Sequence, residues 1–238
     1  MAYFVGCSGW FYWHWKGRFY PPDITTSKWF KYYTEKFNTV ELNSTFYHFP
    51  KISSAKTWYK NSPPDFVYTL KVSRIITHIK RFKGTKRLIS DFYKVGEELK
   101  EKMGCFLFQL PPNLTFDEKR LGEIIGQLDL DKRNVIEFRH ISWFNQKVFS
   151  ELRKNKIIFC IVSLPNLPDE FVETSDDVYI RFHGKLSRYA SNYSDDELKE
   201  WARKIKKSKA KNVWAYFNND FNAFAPQNAL TLLKFLKK

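Results

Sequence analysis

Cysteine is scarce in this chain. Only Cys7, Cys105 and Cys160 occur among 238 residues, and no two stand in C-x-x-C spacing. An odd count without a pairing pattern excludes a disulfide-stapled secreted scaffold and predicts reduced thiols in a cytoplasm. A full glycine-rich dinucleotide fingerprint is missing too; Gly6-Cys-Ser-Gly9 lacks its complete pattern. That counts against an open, doubly wound sheet. No apolar stretch reaches the roughly 18 residues that span a bilayer. Met1–Val5 lacks the basic-then-apolar pattern of a signal peptide. The expectation is a soluble, cytoplasmic protein with no membrane partner. Acidic residues are outnumbered: 25 Asp+Glu against 40 Lys+Arg leave a net charge of +15. Such a balance attracts polyanions, meaning nucleic acid, phosphorylated metabolites or an acidic partner. It is equally the mark of a solvated surface, since Lys204, Lys206, Lys207, Lys209 and Lys211 sit on a helical stretch.

What is present is globular. Hydrophobic residues make up 43% and charged residues 27%, far from the composition of a disordered chain. Aromatics reach 18%, enough to line a site as well as fill a core. Eight short runs carry strand chemistry: Tyr3–Ser8, Thr39–Phe46, Phe66–Val72, Cys105–Leu110, Asn134–His140, Ile157–Ser163, Asp177–His183 and Asn212–Asn218. They are rich in Val, Ile, Phe and Tyr. Helical spacing fills most of the gaps, at Lys28–Lys36, Ala55–Lys60, Lys86–Lys102, Gln146–Lys154 and Pro226–Leu236. Thr115-Phe-Asp-Glu118 reads as a capping box opening Phe116–Leu128, and Ser194-Asp-Asp-Glu197 as one opening Asp195–Lys207. Alternating strands and helices imply a parallel sheet. Eight such units in this length predict a single α/β domain over residues 1–238, a (β/α)8 TIM barrel. Pro165 and Pro168 leave Leu164–Asp176 little room for a helix, so the sixth helix is expected to be reduced to a loop.

Residues two apart on a strand face the same side. Near the strand ends this spacing pairs Glu41 with Asn43, Glu137 with Arg139, and Arg181 with His183. Lys71 and Gln109 end two further strands, and the last leads through Asn218 to Asp220. A charge facing the outer helices is costly to bury, so these residues are expected inward, at the barrel mouth where barrel enzymes do their chemistry. Glu41, Glu137, His183 and Asp220 are the candidate acid/base groups. Lys71, Arg139 and Arg181 are candidate anion binders. Asn43, Gln109, Asn218, Trp10 and His78 complete the expected binding set. A buried ion network that only closes the barrel is the competing reading. No metal and no cofactor are expected, because the carboxylates lack ligand spacing and stand among cations. The loop from Ser8 to Gly17 is dense in aromatics and reads either as a hydrophobic plug or as a stacking platform for a base or sugar. The segment Lys185–Tyr193 reads as a lid.

Ordered motifs run along nearly the whole chain. They include Gly6-Cys-Ser-Gly-Trp10, Phe19-Tyr-Pro21, Phe37-Asn-Thr-Val-Glu-Leu-Asn-Ser-Thr-Phe-Tyr47, Thr77-His78, Phe108-Gln-Leu-Pro-Pro112, Glu137-Phe-Arg-His140, Arg181-Phe-His-Gly184 and Tyr216-Phe-Asn-Asn-Asp220. Together they resemble the family catalogued as domain of unknown function 72, also called YecE-like. The resemblance implies a TIM barrel and one shared site, without a reaction. It also implies an acidic residue at the end of the sixth strand, where this chain has Ser163. The expected function is an enzyme acting on a phosphate-containing small molecule; the alternative is a non-catalytic nucleic-acid binder. No oligomeric state follows from the sequence.

Overall fold

The computed structural model describes residues 1–187 and 189–237. Eight strands alternate with helices: β1 Ala2–Cys7, α1 Trp29–Lys36, β2 Thr39–Leu42, α2 Ser44–Tyr47, α3 Ile52–Asn61, β3 Val67–Lys71, α4 Lys86–Glu97, β4 Met103–Gln109, α5 Glu118–Ile125, β5 Asn134–Glu137, α6 Gln146–Lys154, β6 Ile158–Ser163, β7 Asp177–Phe182, α7 Asp195–Lys207, β8 Asn212–Phe217 and α8 Phe224–Lys237. The sheet order β1-β8-β7-β6-β5-β4-β3-β2 repeats the order along the chain. This is the topology of a (β/α)8 barrel.

All eight expected strands form. Two are shorter than expected by three residues or more. β2 ends at Leu42, and the chain turns at once into α2, whose first turn is tied by Phe46 N–H donating to the Asn43 carbonyl at 3.0 Å. β5 ends at Glu137, and Phe138–His140 continue without ladder bonds into a tight turn at Ile141–Trp143. The expected capping box at Ser194 is present, with Ser194 and Glu197 bonding reciprocally. The one expected at Thr115 is not. Asp117 caps α5 instead, its carboxylate accepting from the Arg120 N–H at 2.8 Å. No helix forms in Leu164–Asp176, as the two prolines require.

The chain divides into two compact units: residues 1–41, 161–171 and 176–238, and residues 42–160 and 172–175. The divisions after Glu41 and Cys160 fall inside β2 and β6 rather than in a linker. In the first unit β8 pairs in parallel with both β1 and β7. Gly6 is needed there: a Cβ would lie 2.4 Å from the Thr39 carbonyl oxygen and 2.8 Å from the Tyr33 hydroxyl. In the second unit β4 pairs with β3 and β5, and β5 with β6. The core of the first unit holds Trp15, Trp29, Tyr33, Phe182, Trp201 and Phe217; that of the second holds Tyr68, Phe92, Phe106, Phe108, Trp143 and Phe159. Among the described residues no helix is long and apolar enough to cross a membrane.

Candidate functional site

In the first unit the strand-end residues form a closed ion network. Glu41 is buried, and both of its carboxylate oxygens accept hydrogen bonds. Oε1 accepts from Arg181 at 2.5 Å and from the Ser8 hydroxyl at 2.7 Å, while Oε2 accepts from the Tyr179 hydroxyl at 2.5 Å. Glu41, Arg181 and His183 are each 0% exposed. The Arg181 guanidinium stands 3.5 Å from Nε2 of His183, whose Nδ1 lies 3.4 Å from the Asn218 side-chain amide. The alternation along β7 puts Tyr179, Arg181 and His183 on one side. Burial, with the Glu41 charge beside it, pushes the Tyr179 phenol well above its usual range. Tyr179 and Ser8 were missed by sequence reasoning. Tyr179 carries the same two-residue signal as Arg181, but its ring reads as ordinary core.

The loops after β1 and β8 of that unit meet at Asp220. Its Oδ1 accepts from the Trp15 indole N–H at 2.6 Å, and its Oδ2 lies 2.9 Å from Nε2 of His14. Burial raises the Asp220 carboxyl to about 6, against the pull of Trp15 and His14 in the other direction. His14 was not among the expected acid/base groups; nothing in its position in an aromatic run marks it. Gly9, at φ +110°, turns the chain into this loop, and Tyr12 closes the turn by donating to the Ser8 carbonyl at 2.5 Å. The loop's rings divide their tasks. Trp15 is buried and Trp10 half-buried against Phe30, whereas Phe11 and Trp13 are exposed. The segment 185–193, expected to be a lid, is tied to its surroundings by Tyr189 N–H on the His183 carbonyl and by Asn219 on the Ser191 carbonyl. Arg188 in that segment lies outside the described residues. At the end of β6, Ser163 accepts from the Tyr193 hydroxyl at 2.7 Å.

The second unit gathers a different set at the ends of β3, β4 and β5. Glu137 is buried between Arg139, whose Nε is 2.5 Å from Oε1, and Gln109, whose amide is 2.8 Å from Oε2. Gln109 and Glu137 are register partners of β4 and β5, which places them side by side. The Lys71 ammonium sits 4.1 Å from the centre of the Phe46 ring, a cation–π contact. The His78 ring meets the same Phe46 edge-on at 5.0 Å. His78 lies in a wide helical turn over Ile75–Ile79, in which Lys80 N–H reaches back to the Ile75 carbonyl at 2.9 Å. Such turns recur at functional sites. Burial lowers His78 to about 4, helped by the charges of Lys71, Arg74 and Arg139 and opposed by Glu137. His78 is therefore neutral at physiological pH, and its Nδ1 is paired with the Thr77 hydroxyl at 2.8 Å. Asn43 is half-buried just before α2. Among the described residues no group of three or more His, Cys, Asp and Glu is placed to hold a metal.

A sequential (β/α)8 barrel with charged residues at its strand ends defines the class. A family described as "Protein of unknown function DUF72" matches residues 4–238, and the chain belongs to that family. UPF0759 protein YunF of Bacillus subtilis is 25% identical across 98% of this chain and 94% of that protein. A DUF72 family protein of Thermotoga maritima, solved by crystallography, superposes with a TM-score of 0.91 at 30% identity, covering 100% of both chains. A DUF72 family protein of Enterococcus faecalis gives 0.85 at 21% identity, covering 99% of this chain and 96% of the other, and shares the fold.

Proposed function

We propose that this protein is an enzyme acting on a phosphate-containing small molecule, held at the ends of β3, β4 and β5. The observation that carries the reading is the field at His78. Beside the effect of burial, the cations Lys71, Arg74 and Arg139 act on that imidazole, opposed by Glu137. Burial is the main reason His78 stays neutral, and the surrounding positive charge adds to it; a site with that excess of cations is suited to a negative ligand. Arg139 and Lys71 supply charged donors, of which arginine can bind phosphate through two parallel bonds. Glu137, oriented by Gln109 and Arg139, is the acid/base candidate of this set. The three buried free thiols are in keeping with work in a reducing cytoplasm.

Inorganic phosphate and a panel of phosphosugars test the reading by calorimetry and product analysis. Binding that weakens about tenfold or more in Arg139→Gln, with turnover lost in Glu137→Gln, supports it. No binding of any member overturns it. Binding without turnover by the wild-type chain removes the enzyme and leaves a sensor. Affinity for nucleic acid alone, falling steeply with salt, favours the nucleic-acid reading instead.

A further inference from the structure

The His14–Asp220 contact has more structure than an ion pair. His14 Nε2 lies 2.9 Å from Oδ2 of Asp220 and also 2.9 Å from its main-chain carbonyl oxygen. Above the carboxyl's pKa both partners only accept, so Nε2 carries the hydrogen and Nδ1 is left with its lone pair. That Nδ1 makes no hydrogen bond among the described residues, and the side chain is 43% exposed. The carboxylate cannot swing away, because Trp15 donates to its other oxygen at 2.6 Å. The two halves of the arrangement come from loops more than two hundred residues apart in sequence, at the ends of β1 and β8. In barrel enzymes such loops carry the chemistry. A carboxylate that fixes one imidazole nitrogen, with the other turned to water, is the arrangement of a histidine general base.

We infer that His14, held by Asp220, is a general base that activates water for attack on an ester. Nδ1 takes a proton from water as the water oxygen bonds to the electrophilic centre. The ester oxygen then leaves with its bonding pair and receives that proton from the imidazolium. Asp220 stays ionised throughout and acts as the positioning residue. The inference concerns loops of the first unit and is independent of the anion site of the second.

Two measurements on the full chain test it. Long-range proton–nitrogen NMR near neutral pH, with His14 assigned from the His14→Gln spectrum, is expected to give the Nε2–H tautomer; the Nδ1–H tautomer overturns the inference. Hydrolysis of p-nitrophenyl acetate is expected to fall about tenfold or more in His14→Gln, by less in Asp220→Asn, and not at all in His48→Gln, which alters an exposed histidine elsewhere. A folded His14→Gln protein that hydrolyses the ester as fast as wild type overturns it. Should Asp220→Asn fail to fold, the exposed His14 still decides the matter.

Discussion

Each unit carries a buried glutamate–arginine pair at its strand ends, and these two pairs keep different company. Glu41 and Arg181 are both 0% exposed, and Ser8 and Tyr179 also donate to the carboxylate. Glu137 is as deeply buried, but the Arg139 side chain keeps a small exposed edge, at 4% against 0% for Arg181. Beside them stand a half-buried histidine and the exposed Arg74. The same side-chain chemistry therefore serves two ends. A carboxylate with both oxygens hydrogen-bonded inside the protein is sealed from a substrate by burial, and its arginine works as a counter-ion. A pair whose arginine borders water can lend its charge to a ligand.

The largest expected effect tests the sealed pair. Arg181→Met leaves Glu41 buried without its counter-ion, which typically costs about 3–5 kcal/mol. Urea unfolding of the variant reads this directly. The double variant Glu41→Gln with Arg181→Met is expected to recover much of the loss, because no buried charge is then left alone. A single-variant loss under about 1 kcal/mol would mean that water reaches Glu41, and the contrast between the pairs would collapse.

Arg139→Gln is the counterpart in the second unit. Glu137 keeps its bond from Gln109, and the vacated edge lies near water. The stability loss is expected to be about 1–3 kcal/mol, smaller than for Arg181→Met, while phosphate affinity falls as stated above. Equal stability losses in the two arginine variants would erase the distinction drawn here.

The two units also respond to pH in opposite directions. Folding raises Asp220 from its ordinary 3.8 to about 6. The folded chain thus holds this proton more tightly than the unfolded chain, and stability falls as pH rises through that interval. Folding lowers His78 from 6.5 to about 4. The folded chain resists this proton, so stability rises over its window and is lost as pH falls through it. The Asp220 side chain is 17% exposed, and its contribution is expected near 1–3 kcal/mol, about 1.4 per pKa unit at most. His78 is half-open to solvent, which screens its share to about 1 kcal/mol. Stability–pH curves for Asp220→Asn and His78→Gln should therefore diverge from wild type with opposite slopes. Parallel curves would overturn the opposed pH dependence of the two groups.

Strand positions were legible because β-branched and aromatic runs survive as a one-dimensional signal, and the barrel followed from their alternation with helices. The strand-end polar residues were legible through their spacing: Glu137 with Arg139 and Arg181 with His183 do lie together. Their access to water was not, since nothing local separates Arg181 from Arg139. The hydrogen bonding of Glu41 depends also on Tyr179 and Ser8, the latter 33 residues away in sequence. His14 escaped notice for a similar reason. Its partner is 206 residues distant, and such pairing is set by the fold alone.

The smallest expected effect compares the helix starts of the two units. Both α5 and α7 follow a sequence pattern that reads as a capping box, yet only α7 uses it. At Ser194 the hydroxyl meets the Glu197 N–H at 3.2 Å and the Glu197 carboxylate returns to the Ser194 N–H at 2.8 Å. At α5 the chain runs extended through Asp117, at φ −150°, so the cap falls two residues beyond Thr115. Asp117 has a charged side chain that meets the helix's positive end directly. Ser194→Ala and Asp117→Ala are each expected to lower stability by about 1 kcal/mol. Thr115→Ala, whose hydroxyl caps nothing, should stay within about 0.5 kcal/mol of wild type. Thermal unfolding of the three variants ranks them, and a Thr115 effect as large as that of Asp117 would return the cap to the position its sequence pattern first indicated.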